Sequence, residues 1–269
     1  MQNPTEIIPG VIFYSFLTSS RRDVVAFLGH NKLILMVSGQ LTFETSSQKT
    51  TLQQGDIMLV GKNQLAQLTK TPSPEGRYET IVITLQEELL RTIALEEKIE
   101  IREKYNGPAF VLIPPNDFMQ GYFQSVVPYV RNPNEKIATA MGMIKVKEGV
   151  QLLLHAMPAL SNLLFDFSVP HKIDLKKFML AHFHFNVSVE KFAELTGRSL
   201  AAFKRDFSKV FNAAPRQWLL EKRLLEARHL IEKKHKKPSA IYLDLGFESL
   251  SHFSRTFKKM FGKAPSEWV

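Results

Sequence analysis

Cysteine is absent from this chain of 269 residues, which excludes disulfides, thiolate nucleophiles, iron–sulfur clusters and cysteine zinc sites, and fits a reducing cytosol. Histidine is scarce in the first half, where His30 is the only one before residue 155. A metal site on facing β-strands needs several histidines with a carboxylate, so no metal and no cofactor is expected there. No stretch approaches 18 uninterrupted apolar residues, and the opening MQNPTEIIPG has no basic segment followed by an apolar one. Membrane spanning and secretion are therefore not expected. No Ser/His/Asp arrangement, glycine-rich phosphate loop or carboxylate pair stands out, so no catalytic residue is assigned.

What remains is an ordinary globular composition, 44% hydrophobic and 23% charged, long enough for two domains. The charge is unevenly placed. Residues 170–269 hold 20 Lys and Arg against 10 Asp and Glu, whereas residues 1–169 hold 15 against 16. The whole positive excess lies in the last hundred residues, where a polyanion would gain from counterion release.

Hydrophobic periodicity changes along the chain too. Runs at Val11–Phe16, Leu33–Val37, Leu41–Glu44, Ile57–Val60 and Tyr78–Leu85 are short, rich in Val, Ile, Leu, Phe and Thr, and bounded by turn residues, which predicts strands of a β domain. Ser38-Gly39-Gln40 reads as a tight turn. A helix is predicted at Glu87–Glu97, a strand at Phe110–Ile113, and helices at Asp117–Tyr129 and Glu135–Met157. In the last of these, Ile137, Met141, Ile144, Val150, Leu153 and Leu154 are read as one broad face, serving either as internal support or as a dimer seam, with Ile144 and Leu153 as its test positions. Phe13, Phe27, Leu35, Phe43 and Met58 would line a ligand cavity in the β domain or fill its core. Phe167 to His171, with the helix-breaking Pro170, marks a boundary between a domain over 1–166 and another over 171–269.

The strongest signal is an internal repeat. Phe203, Arg205, Phe207, Lys209, Phe211, Pro215 and Trp218 recur as Phe253, Arg255, Phe257, Lys259, Phe261, Pro265 and Trp268. Two copies are too few for a solenoid, so the repeat reads as a duplicated supersecondary unit. Each copy reads as helix, turn, helix: Ser188, Thr196-Gly197 and Ser199 in the first, then Pro238-Ser239, Gly246 and Ser249 in the second. Asn212 and Gly262 follow the two second helices and suit left-handed termination. Phe203, Phe207, Val210 and Phe211 fall on one predicted buried stripe. This leaves Ala201, Lys204, Arg205 and Ser208 facing outward, with Leu250, Ser251, Ser254, Arg255 and Lys258 in the second copy. Such a face suits a major groove, with Ser199 and Ser249 as phosphate-contacting caps and Lys209 and Lys259 nearer the helix ends. Arg216 to Glu232 reads as a spacer helix whose stripe takes in Trp218, Leu219, Arg223, Leu224, Ala227, Leu230 and Ile231. His182 and His184 are read as core or surface residues of a helix.

The stretch from Gly246 to Trp268, with Phe247, Ser249, Ser251, His252, Phe253, Arg255, Phe257, Phe261, Pro265 and Trp268, resembles the signature of the AraC/XylS family of bacterial transcription regulators, over about Ile173 to Val269. The resemblance implies an all-α domain with two helix-turn-helix units that binds double-stranded promoter DNA, commonly as an activator contacting RNA polymerase. Its base-reading positions fall at Ala201, Lys204 and Arg205, and at Leu250, Ser251, Ser254 and Arg255. Tyr242 departs from the small alanine usual beneath the second turn. More loosely, Ser38-Gly39 and Gln54-Gly55-Asp56 resemble cupin strand turns, and Lys145 to Leu154 resembles a dimerisation helix. The expected architecture is α+β: a cupin-like regulatory β domain with a helical dimerisation segment, then the DNA-binding domain, acting as a homodimer under a small-molecule or protein effector. A metal-dependent cupin enzyme fused to a DNA-binding module is the rival reading.

Overall fold

A computed structural model of the chain describes residues 4–46, 48–99, 105–132, 135–168 and 172–268. It divides the chain into two units, one built almost wholly from residues 1–168 and the other from residues 169–269. Of the boundary segment predicted at Phe167 to His171, residues 169–171 lie outside the described residues.

The first unit carries strands β1 (Thr5–Ile8), β2 (Ile12–Leu17), β3 (Arg21–Leu28), β4 (Asn31–Ser38), β5 (Gln40–Glu44), β6 (Lys49–Leu52), β7 (Ile57–Val60), β8 (Gln64–Thr71), β9 (Tyr78–Leu85) and β10 (Phe110–Ile113). Helices α1 (Glu87–Glu96), α2 (Asp117–Arg131), α3 (Glu135–Ala156) and α4 (Ser161–Leu164) complete it. Among the described residues the strands form a sheet in the order β1-β2-β9-β4-β7-β10 and a second in the order β3-β8-β5-β6. Ser38-Gly39-Gln40 thus closes no hairpin; it carries the chain from one sheet to the other. Gly39 is required there, with φ +84° and room for no Cβ, which would come 2.5 Å from the Thr71 carbonyl.

Strand alternation gives the six-stranded sheet two different faces. Leu33, Ile57, Leu59, Ile81 and Ile83 turn toward the helices and join Leu90, Ile93, Phe123, Val126, Val146, Val150 and Leu153 in one apolar core. The other face meets the second sheet: the Phe43 and Phe110 rings lie 5.4 Å apart, and Lys70 Nζ donates to Ser15 Oγ at 3.2 Å. Phe43 and Met58 are fully buried, whereas Leu35 packs on the helix-covered side and not between the sheets. The Phe27 side chain lies outside the described residues. Helices α2 and α3 are joined by polar contacts, with Tyr122 donating to the Lys145 carbonyl and Lys145 Nζ donating to Ser125 Oγ, each at 2.7 Å, while Glu148 on α3 itself pairs with the same Nζ at 2.7 Å.

One expectation for α3 is overturned. Leu153 is fully buried in the core of its own unit, while Ile144 is 53% exposed. Nine positions at about 100° each carry the chain roughly half a turn past two full ones, so these residues occupy opposite faces. Val146, Val150 and Leu153 form the inner face. Leu153 is therefore no seam residue, and the single broad face joined positions that the helix separates.

Replacing Leu153 by Ala should cost about 2–5 kcal/mol of unfolding free energy through the cavity it opens. Ile144→Asp, at an exposed position, should change the stability of the monomer, measured at a concentration low enough to exclude association, by no more than about 0.5 kcal/mol. Urea denaturation of both variants checks the assignment, and equal losses would contradict it.

Candidate nucleic-acid interface

The second unit contains α5 (Leu175–His182), α6 (Val189–Leu195), α7 (Leu200–Phe211), α8 (Pro215–Lys234), α9 (Pro238–Ile241) and α10 (Leu250–Phe261). The duplicated apolar residues build duplicated cores. Phe203 and Phe207 lie 5.5 Å apart and Phe253 and Phe257 5.7 Å; Phe207 and Phe211 lie 4.5 Å apart and Phe257 and Phe261 4.6 Å. Trp218 covers the first cluster, 4.4 Å from Phe211, and Trp268 the second, 5.9 Å from Phe261. Because Phe211 and Trp218 fill the end of the first core, Val210 stays at its edge, 43% exposed, contrary to the predicted stripe.

Local hydrogen bonds fix where each second helix starts and stops. Ser199 Oγ accepts from the Ala202 amide at 3.3 Å, and Ser249 Oγ from the His252 amide at 3.2 Å. Asn212 and Gly262 end the helices at φ 51° and 81°. Between α6 and α7, the buried Thr196 hydroxyl donates back to Phe192 and Ala193 carbonyls. Arg198 donates to the Thr196 carbonyl at 2.7 Å, the Ile173 carbonyl at 3.1 Å and Asp206 Oδ2 at 3.1 Å, which ties the turn to α7. The Arg198 hydrogen bond holds the Asp206 carboxyl below its ordinary range. Neither Arg198 nor Asp206 was singled out by sequence; their spacing of eight was the available signal.

The first helix of the second helix-turn-helix motif is a single turn, α9, followed by irregular turns to Gly246, and so is shorter than predicted. Tyr242 fits there half-buried, against the cluster around Phe253 and Phe257. Asn186 Nδ2 reaches Glu248 Oε1 at 2.9 Å, joining the segment before α6 to the segment before α10.

The main joint between the two helix-turn-helix motifs is Arg223, near the middle of α8. Its Nε and Nη2 donate to the Phe183 and Phe185 carbonyls, each at 2.8 Å, and its Nη1 to the Gly246 carbonyl at 3.3 Å. Burial pushes its pKa down to about 10, so it is still a cation at neutral pH. Gly246 has φ +78°, and a Cβ there would lie 2.5 Å from the His184 carbonyl and 3.0 Å from Arg223 Cζ. The helix α5 ends at His182, and the residues after it wrap against α8; His182 stacks on Phe178 and His184 lies tilted against Phe185, each pair 4.2 Å apart, instead of both riding on one helix as predicted.

On this framework Ala201, Lys204, Arg205, Ser208 and Lys209 are exposed on α7. Leu250, Ser251, Arg255, Lys258 and Lys259 are exposed on α10, while Ser254 is half-buried. Ser199 and Ser249 are exposed as well. Neither helix has an acidic residue in its first turn, so both N-termini keep their partial positive charge. Among the described residues no group of three or more His, Asp or Glu side chains converges as a metal site, and no helix is long and apolar enough to cross a membrane.

Comparison with known proteins falls on both units. A family model described as a helix-turn-helix domain matches residues 192–269, and one described as the ExsA N-terminal regulatory domain matches residues 31–162. The chain is 24% identical to the transcriptional regulator ExsA of Pseudomonas aeruginosa over 79% of its own length and 76% of that protein's. It is 23% identical to the virulence regulon transcriptional activator VirF of Yersinia enterocolitica, over 80% of each. A crystal structure of an apo ToxT variant from Vibrio cholerae is similar at a TM-score of 0.48 and 12% identity, covering 96% of both chains.

The pKa of His184 is lowered by burial, with His182 and Arg223 adding repulsion, to about 4 from an ordinary 6.5. A histidine that is neutral when folded takes up a proton on unfolding between those values, so stability should fall as pH drops from about 6.5 toward 4. His182, also lowered by burial, acts in the same direction. Trp218 and Trp268 are the only tryptophans in the chain and report on this unit. Urea midpoints read by their fluorescence should fall less steeply with acid in His184→Gln than in the native chain; equal slopes would contradict the assignment.

Proposed function

The chain belongs to the AraC/XylS family of DNA-binding transcription regulators, and on that premise we propose that it places α7 and α10 in successive major grooves of promoter DNA. The observation that carries this reading is the pair of capped helices with exposed Arg and Lys faces, built on one repeated core and joined through α8 by Arg223. Arg205 and Arg255 hold matching places in the two copies. Arginine reads guanine O6 and N7 bidentately, so these two are assigned direct readout, with Lys204 and the small or apolar Ala201, Leu250, Ser251 and Ser254 completing the groove face. Ser199, Ser249, Ser208, Lys209, Lys258 and Lys259 are assigned to phosphates, which position the helices without reading sequence. A separation of about one helical turn, roughly 34 Å, would place both helices on the same side of the duplex.

Residues 1–166 are proposed to form the regulatory and self-associating domain, and residues 171–269 the DNA-binding domain. The match to the ExsA regulatory domain model over residues 31–162 supports the first assignment. Self-association is assigned to the outer face of α3, where Met143 and Ile144 are 36% and 53% exposed. The Ile144→Asp variant is then the one whose sedimentation reports it. Activation through contact with RNA polymerase is proposed because VirF, similar to this chain over both units, is described as a transcriptional activator. The cupin enzyme reading has no observation in its favour, since the relatives matched across both units are transcription regulators.

Competition binding with promoter DNA recovered from cells and a random duplex tests the assignment. Arg205→Ala and Arg255→Ala should each cost about 1–3 kcal/mol at the cognate site and lower the cognate-to-random ratio. Lys259→Ala should weaken both duplexes equally. An unchanged ratio for both arginine variants would overturn base readout.

A further inference from the structure

Beyond the two exposed helix faces, the second unit carries a run of four lysines around one histidine, Lys233-Lys234-His235-Lys236-Lys237, at the end of α8. All five residues are exposed, and none of the lysines pairs with a carboxylate among the described residues. The local backbone is held firmly: His235 is left-handed at φ 50°, the Lys236 amide donates to the Leu230 carbonyl at 3.1 Å, and Lys237 is the extended residue before α9. Lys233 and Lys234 lie in the last turn of α8, whose negative end favours cations, whereas Lys236 and Lys237 lie past the helix.

We propose that this run is a second phosphate-binding site, separate from the recognition helices, which holds the DNA backbone beside the second helix-turn-helix. In such a motif the second helix enters the groove and the first crosses the backbone, so the segment leading into the first helix lies beside phosphates. Lys233 to Lys237 leads into α9, the first helix of the second motif. The corresponding segment before α6, Phe183 to Val187, carries no Lys or Arg and is packed on Arg223 instead. The two motifs therefore differ in their grip: the first is seated by an aromatic linker, and the second adds an unpaired row of cations. Such contacts carry no base information and act through released counterions, so they strengthen binding to any duplex equally.

This rests on the reading of the chain as a DNA binder, and the test separates the two. Affinity of the full chain for a random-sequence duplex and for promoter DNA recovered from cells is measured as a function of salt, in the native protein, in the quadruple Lys→Gln variant at 233, 234, 236 and 237, and in the Lys236→Gln, Lys237→Gln pair, which leaves α8 untouched. Each phosphate contact contributes about 0.9 to the slope of log affinity against log salt. The quadruple variant should lose about 2 or more from that slope and the pair about 1 or more, on both duplexes, with the cognate-to-random ratio and the thermal melt unchanged. Native slopes in both variants would overturn the proposal. So would native DNA binding joined to a loss of activated transcription with purified polymerase, which would place the run against an acidic protein surface. A native chain that shows no salt-dependent affinity for either duplex would instead defeat the reading of DNA binding itself.

Discussion

The organisation of the second unit depends on one half-buried guanidinium. Arg223 leaves α8 and donates to three backbone carbonyls that belong to two separated segments, Phe183 and Phe185 before α6 and Gly246 before α10. A cation partly withdrawn from water is tolerated best when its donors are satisfied, and a planar guanidinium satisfies several carbonyls at fixed angles where an ammonium acts as a point charge. Gly246 completes the arrangement, because a side chain at that position would overlap the His184 carbonyl and crowd the guanidinium. The two helix-turn-helix motifs are thus joined through polar contacts to the spacer helix as well as through their own apolar cores.

Duplication has kept the core and released the surface. The aromatic pairs under α7 and α10 differ in spacing by only a fraction of an ångström, and both helices begin at a capping serine and end in a left-handed residue. The outward positions have diverged: Lys204 is matched by the half-buried Ser254, Ala201 by Ser251, and Ser208 by Lys258, while Arg205 and Arg255 remain alike. Under the proposed function, a fixed frame with changed outer residues would let the two motifs read different stretches of DNA. The same divergence places the lysine run on one motif only.

Much of this was legible from local chemistry. Strands with branched or aromatic runs, such as Ile57–Val60, Tyr78–Leu85 and Phe110–Ile113, announce themselves, as do the serine caps and the repeat. The strands that escaped, among them β6 and β8, have the sequences KTTL and QLAQLTKT; their polar residues pair between strands or point into a partly polar interior, so no apolar alternation marks them. The α3 face was misjudged because apolar residues occur on both sides of that helix, one side core and the other surface, and composition does not tell which angle is which. Arg223 was read within an apolar stripe because its partners lie 40, 38 and 23 residues away in sequence. The register of a charged residue on a buried helix face was the signal, and only tertiary contacts give it meaning.

The most direct test of this account is hydroxyl-radical footprinting of recovered promoter DNA by the native chain and by Arg223→Lys, compared at equal occupancy and after the tryptophan fluorescence of both has shown a folded second unit. The native chain should protect two segments about 10 base pairs apart. The variant, lacking the planar fork that joins the carbonyls before α6 to the one before α10, should keep one protected segment and lose or blur the other. Two segments protected as strongly as by the native chain would contradict the claim that Arg223 sets the geometry of the pair.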